Sequence, residues 1–118
     1  MPSLFVIAAA GAGRDWTEAR TNQEVDMSVL SDEQVTERLA GLAGWTRQGD
    51  NIVHVATLAD FKAAILYVGA VAYLAESANH HPDIAIAWNK VTLTLSTHSA
   101  GGLTGNDFAL AEQINRLG

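Results

Sequence analysis

Hydrophobic positions along the chain switch between two periods, and each switch marks an element. Residues 30–35 read Leu-Ser-Asp-Glu-Gln-Val, a helix start. Ser31 caps, Gln34 stands at the third helical position, and Leu30 is placed to staple onto Val35. Val35, Leu39 and Leu42 mark one face, and Gly44 ends the helix. Residues 45–48 and 52–56 flank the turn cluster Gly49-Asp50-Asn51 and read as a hairpin, with Val53 and Val55 on one side and His54 on the other. A long helix follows over 58–79. Phe61, Ile65, Val68, Ala72 and Ala75 make one seam at helical spacing, and Leu66, Ala70, Tyr73 and Leu74 cover other sides. From Ala63 to Ala75 there is no charge. A sheet buries only one face of a helix, so the surplus apolar surface predicts a second partner, most simply another subunit.

The period then returns to two. Over 83–88, Ile84, Ile86 and Trp88 share one face; over 91–98, Val91, Leu93 and Leu95 point in while Thr92, Thr94, Ser96 and His98 point out. Asn89-Lys90 joins them as a second hairpin. Gly101-Gly102-Leu103-Thr104 leads into a last helix with Thr104 as cap, Asp107 at its third position, and Leu110, Ala111, Ile114 and Leu117 as its buried stripe. Helix, hairpin, helix, hairpin, helix predicts an α+β domain: a four-stranded antiparallel sheet with helices packed on one face.

The N-terminal residues have another texture. Residues 12–26 are polar without a period, so residues 1–27 read as an extension or arm and 28–118 as the compact domain, with Met27 a candidate natural start. The apolar run at 4–10 is far shorter than the ~20 residues of a membrane span, and Met1-Pro2-Ser3 lacks the basic start of a signal peptide. GAGRDW resembles a dinucleotide loop, but Trp16 stands where its third glycine would be. Net charge is -6, and the seven basic residues are scattered, which argues against a nucleic-acid partner. The absence of cysteine excludes disulfides and thiolate metal sites and fits a cytoplasmic protein. A chain of 118 residues has a poor ratio of core to surface, which again favours self-association.

The candidate chemistry lies in ESANHHPD, residues 76–83, which holds two of the four histidines. Glu76 and His80 are four apart and share a face if the helix runs that far. Pro82 disfavours helical geometry at His81, so the chain leaves the helix near the pair. In the second hairpin, His98 ends its strand at the same end of the sheet as Pro82 and Asp83. Three histidines then converge with Glu76 close by. Three readings compete: histidines that suit a helix C-terminus, a three-imidazole zinc site, and metal-free acid–base catalysis by groups that titrate near neutrality.

The pattern Glu76, His80-His81-Pro82, Trp88, His98 and Asp107 resembles the signature of the pterin-4a-carbinolamine dehydratases at all seven positions. The surrounding residues agree: Gly44-Trp45, Asp60-Phe61, Asn89-Lys90-Val91, Leu95-Ser96-Thr97-His98 and Gly102-Leu103-Thr104. The likeness runs from about Leu30 to Leu117. It implies an enzyme that removes water from 4a-hydroxytetrahydropterin to give the quinonoid dihydropterin, in tetrahydropterin recycling. It implies no metal or organic cofactor, and a homodimer or homotetramer with no membrane partner. On that resemblance His80 and His98 are the expected proton donors to the leaving hydroxyl, and His81 a substrate-binding residue or base. Glu76 is placed to orient His80 or keep it charged, or is an ordinary exposed helix carboxylate. Asp107 is favoured as a helix cap that holds the Gly101-Gly102 loop beside the site. Trp88 is a stacking wall or, by its parity with Ile84 and Ile86, core. Pro82 shapes the turn. Relatives of this fold also serve as binding or assembly modules, and the complete histidine set favours catalysis over that alternative.

Overall fold

The computed structural model describes residues 28–117; the extension, the apolar run at 4–10 and GAGRDW lie outside them. Helix α1 spans Asp32–Ala40, and its start is the expected capping box: the Ser31 hydroxyl accepts from Gln34 N while the Gln34 side chain accepts from Ser31 N. It stops at Gly41, three residues earlier than Gly44. Strands β1 (Trp45–Gln48) and β2 (Asn51–Thr57) form the first hairpin, α2 covers Phe61–Ala78, β3 (Asp83–Ala87) and β4 (Lys90–Leu95) form the second, and α3 covers Gly105–Asn115. The four strands are antiparallel in the order β1-β2-β4-β3. This is the α+β fold that the alternation of periods predicts.

The helices cover the sheet face that carries Ile52, Val91, Leu93 and Leu95, all fully buried. Val53 and Val55 pair laterally with Thr94 and Thr92 on the opposite face, and His54 faces the helices. His54 is structural. Its Nδ1 donates to Gly44 O at 2.7 Å and its ring stacks on Trp45 at 5.1 Å. Gly44 has φ +86, and a Cβ there would lie 3.0 Å from the His54 ring, so both backbone conformation and space require glycine. Trp45 Nε1 donates to Asn115 Oδ1 at 2.9 Å, which ties the first hairpin to α3.

Helix α2 is where the expected face and the observed one differ. Its N-cap is Asp60, which accepts from Ala63 N at 2.8 Å, so the helix starts three residues after Leu58. The buried positions are Ala64, Val71 and Ala75, with Tyr67, Val68 and Leu74 packed beside them. Burial pushes the Tyr67 phenol above its ordinary range. Phe61, Ile65 and Ala72, placed in the core seam by spacing, face outward. The physical reason is that α2 is apolar on every side, so period alone selects no face; small residues let it close onto the sheet. The outward stripe of Phe61, Ile65, Leu66 and Tyr73 is exposed among the described residues. By length and composition α2 could also cross a bilayer, but one face of it belongs to the core.

Three further boundaries differ. The second hairpin turns at Trp88-Asn89, one residue before the expected Asn89-Lys90. Strand β4 ends at Leu95; a bridge between Thr97 and Gly102 follows, with His98 opening a 3-10 turn (His98–Ala100) instead of ending the strand. Leu117 lies beyond α3 and is exposed, while Phe108 joins Leu110, Ala111 and Ile114 in the buried stripe.

Candidate active site

Three segments meet at one end of the sheet. The first is the exit of α2. Asn79 takes the left-handed conformation, φ 51, and its N–H closes onto the carbonyls of Ala75 and Glu76. The helix therefore ends at Ala78, two residues before His80, and residues 80–82 run in open chain into β3. The second is the loop after β4, reached because Asp83 pairs with Thr94. The third is the start of α3.

Asp107 joins all three. Its carboxylate is fully buried and accepts three hydrogen bonds. Oδ2 takes Thr104 N at 2.9 Å and the Thr97 hydroxyl at 2.8 Å; Oδ1 takes His80 Nε2 at 2.5 Å. The capping box is present, with the Thr104 hydroxyl accepting from Asn106 N at 3.3 Å. One residue thus has two jobs, split between its oxygens: Oδ2 closes the helix start and Oδ1 holds a histidine. The cap favoured from sequence accounts for half of what Asp107 does.

His80 is 13% exposed at the side chain, so its ring is mostly buried against Asp107 and its surroundings, with a small part open to solvent. His81 is held differently. Its Nε2 lies 2.6 Å from Glu76 Oε2, and both side chains are open to solvent. Glu76 therefore engages His81 and leaves His80 to Asp107, contrary to the expected pairing. Because Asn79 reverses the chain, the four-residue spacing of a helix no longer applies at His80, and the partner moves one residue on. His98 is exposed at the start of its 3-10 turn, directly after Thr97, which bonds the carboxylate that holds His80. Pro82 is half-buried at the entry to β3.

Trp88 does not join this group. The strand stops at Ala87, and Trp88 has φ 54, so its side chain leaves the parity of Ile84 and Ile86 and is 69% exposed. It is not core. It stands at the far end of β3, about 20 Å along the strand from Pro82 at ~3.3 Å per residue. Ile84 and Ile86 are themselves more than a third exposed on this edge strand.

Sequence reasoning missed Thr97. The signal was present: Val91, Leu93, Leu95 and Thr97 share one parity, so a hydroxyl continues a buried row. A buried hydroxyl needs a partner, and the nearest candidates were the acid and threonine of the next helix. Among the described residues no three His, Asp or Glu side chains are grouped as metal ligands; the histidine pairs are each made with one carboxylate.

These residues lie within a stretch that known proteins share. The family model described as pterin 4 alpha carbinolamine dehydratase matches residues 28–117. A Roseiflexus castenholzii protein named "Putative pterin-4-alpha-carbinolamine dehydratase" is 57% identical over 90 residues, covering 76% of this chain and 97% of the relative. A protein of the same name from Nocardia farcinica is 56% identical over 89 residues, covering 75% and 94%. Among solved structures, a transcriptional coactivator/pterin dehydratase from Brucella melitensis aligns with a TM-score of 0.73 and 32% identity, over 76% of this chain and 98% of that one. A pterin dehydratase-like RuBisCO assembly factor of the alpha-carboxysome, at 22% identity and a TM-score of 0.54 over 63% and 88%, shares the fold. With the match running from the cap before α1 to the end of α3, this chain belongs to the pterin 4 alpha carbinolamine dehydratase family.

Proposed function

We propose that the protein is a lyase that dehydrates 4a-hydroxytetrahydropterin to quinonoid dihydropterin, in the recycling of tetrahydropterin. The observation that carries this is the His80–Asp107 pair: a partly exposed imidazole backed by a fully buried carboxylate, with His81 next in sequence and His98 following Thr97, which bonds the same carboxylate. The reaction needs a proton on the 4a-oxygen and the loss of one from N5. As the C4a–O bond breaks, water leaves, and the N5 lone pair forms the C4a=N5 double bond. No oxidant or reductant is consumed. Imidazoles give and take protons at neutral pH. His80 and His98 serve as donors to the leaving oxygen, and His81 binds substrate or accepts the N5 proton. Glu76 orients His81, and Pro82 directs the chain out of α2.

The test is dehydration of freshly generated 4a-hydroxytetrahydropterin, followed by absorbance, for wild type beside His80→Ala and His98→Ala. Acceleration by wild type that falls by roughly a hundredfold in either variant is expected. A folded wild type without acceleration would end this reading. It would favour the alternative, a binding or assembly module, the kind of role named for the carboxysomal neighbour.

The exposed stripe of α2 supports a homodimer or homotetramer. Leu66 and Tyr73 are 68% and 71% exposed on a helix face with no charge between Ala63 and Ala75. A monomeric mass by light scattering at micromolar concentration would refute it. A small soluble substrate made by a hydroxylase fits a cytoplasmic setting.

A further inference from the structure

Asp107 is held by more than its helix cap. A capping box needs only Thr104 and Asp107. Thr97 comes from another segment, ten residues upstream and 3% exposed, and adds a hydroxyl that the cap does not require. The Thr97 and Thr104 hydroxyls are 2.8 Å apart. Each hydroxyl has one proton to donate, and the surrounding groups decide where each goes. An ionised carboxylate only accepts, so the Thr97 proton goes to Asp107 Oδ2. Thr97 can then only accept from Thr104, so the Thr104 proton points to Thr97 Oγ1. Thr104 Oγ1 in turn accepts from Asn106 N. The chain therefore has one direction from the start of α3 to the carboxylate. At its far end Asp107 Oδ1 requires a donor, which is His80 Nε2–H.

We propose that Thr97 and Thr104 are positioning residues that lock the His80 tautomer. Through Asp107 they keep one proton on Nε2, so Nδ1 is the nitrogen presented to the substrate: bare in the neutral ring, it donates to the leaving oxygen when the ring carries a second proton. The locking is geometric. With both threonine donors in place, Oδ2 is occupied, the carboxylate cannot rotate, and Oδ1 faces the ring. Without the Thr97 hydroxyl, Oδ2 keeps one donor and the Thr104 hydroxyl loses its acceptor. The carboxylate and the ring are then free to turn together. His81 has no such support, since its partner Glu76 is open to solvent. The consequence for catalysis rests on the dehydratase reading; the tautomer itself does not.

The experiment is nitrogen NMR of the full chain labelled at its histidines, at a pH of about 9, above the ordinary imidazole range. Wild type is compared with Thr97→Val, Thr97→Ser and Thr104→Val, and each variant is also assayed for dehydration. In wild type, His80 is expected with Nε2 protonated and Nδ1 bare. Thr97→Val, which keeps shape and loses the hydroxyl, is expected to mix the tautomers. It should also lower kcat about tenfold with KM unchanged, the rate equivalent of one net hydrogen bond. Thr97→Ser should restore both, and Thr104→Val should show the same change more weakly. A wild-type His80 protonated at Nδ1 overturns the proposal whatever the variants do. So does a wild-type tautomer retained in Thr97→Val, or in Thr104→Val if the first variant does not fold. A locked tautomer in a protein without dehydratase activity would sustain the lock and refute the function instead.

Discussion

Two histidines adjacent in sequence are each paired with a carboxylate at almost the same distance, 2.5 Å for His80–Asp107 and 2.6 Å for His81–Glu76. By length the pairs are equal. By surroundings they are opposites. Asp107 is fully buried with two further donors on it, whereas Glu76 is 77% exposed at its side chain and His81 56%. A charge pair in water is attenuated by the solvent and competes with it for hydrogen bonds, so exposed pairs contribute little. A buried carboxylate that loses its donors, or donors that lose their carboxylate, have no water to turn to. The two pairs therefore teach that contact distance says where a group is and burial says what depends on it. The His80 pair is built into the helix cap and the loop after β4; the His81 pair is laid on top.

The largest effect should come from breaking the buried pair. Asp107→Ala leaves the Thr97 hydroxyl, Thr104 N–H and His80 Nε2–H without their acceptor. Stability is expected to fall by about 3 kcal/mol in urea unfolding. Asp107→Asn keeps the shape but sets an amide N–H against one of those donors; a loss of about 2 kcal/mol and a fall in kcat on the order of a hundredfold are expected, the latter because His80 loses its fixed tautomer. An Asp107→Ala protein within about 0.5 kcal/mol of wild type would erase the distinction between the pairs.

How much of this was legible in the sequence depends on whether local rules decided the outcome. Both capping boxes follow from side chains three residues apart, and both form. The strands follow from alternation, because burying one face forces it. The α2 face was illegible for the opposite reason: with Phe61, Ile65, Leu66, Val68 and Val71 spread around the helix, the choice of buried side rests on what packs against it. Of the two readings of Trp88, stacking wall or core, the core one fails because parity holds only while the strand continues, and its positive φ ends it. Glu76 was matched to the wrong histidine because a helix spacing was extended past Asn79, a residue type suited to the left-handed stop that occurs there. Asp107 was half-read: the cap was local, but its bond to His80 joins residues 27 apart.

A smaller effect should follow from breaking the exposed pair. Glu76→Gln retains an acceptor for His81 and removes only the charge. A stability change within about 0.5 kcal/mol is expected, with kcat changed by less than about threefold, since the ring keeps a hydrogen-bond partner. Loss of activity comparable to that of Asp107→Asn would mean that the Glu76 charge acts on the reaction itself, and that exposure is a poor guide at this site. Measuring both variants in one preparation of matched oligomeric state makes the contrast direct.

The smallest effect sharpens the comparison without touching the buried site. Raising ionic strength from about 0.01 M to about 1 M shortens the screening length from roughly 30 Å to roughly 3 Å. Ions reach Glu76 and His81, so whatever stability separates wild type from Glu76→Gln should shrink toward zero with added salt. Ions do not reach Asp107, whose donors surround it inside the protein. The stability difference between wild type and Asp107→Asn should then stay constant over the same range. Salt also changes overall stability, but that change is common to all three proteins and cancels in the differences. The measurement is urea unfolding of the three at each salt concentration. Parallel shrinkage of both differences would show that solvent ions sense the His80 pair as well. Its value would then come from long-range charge and owe nothing to the hydrogen bonds that enclose it.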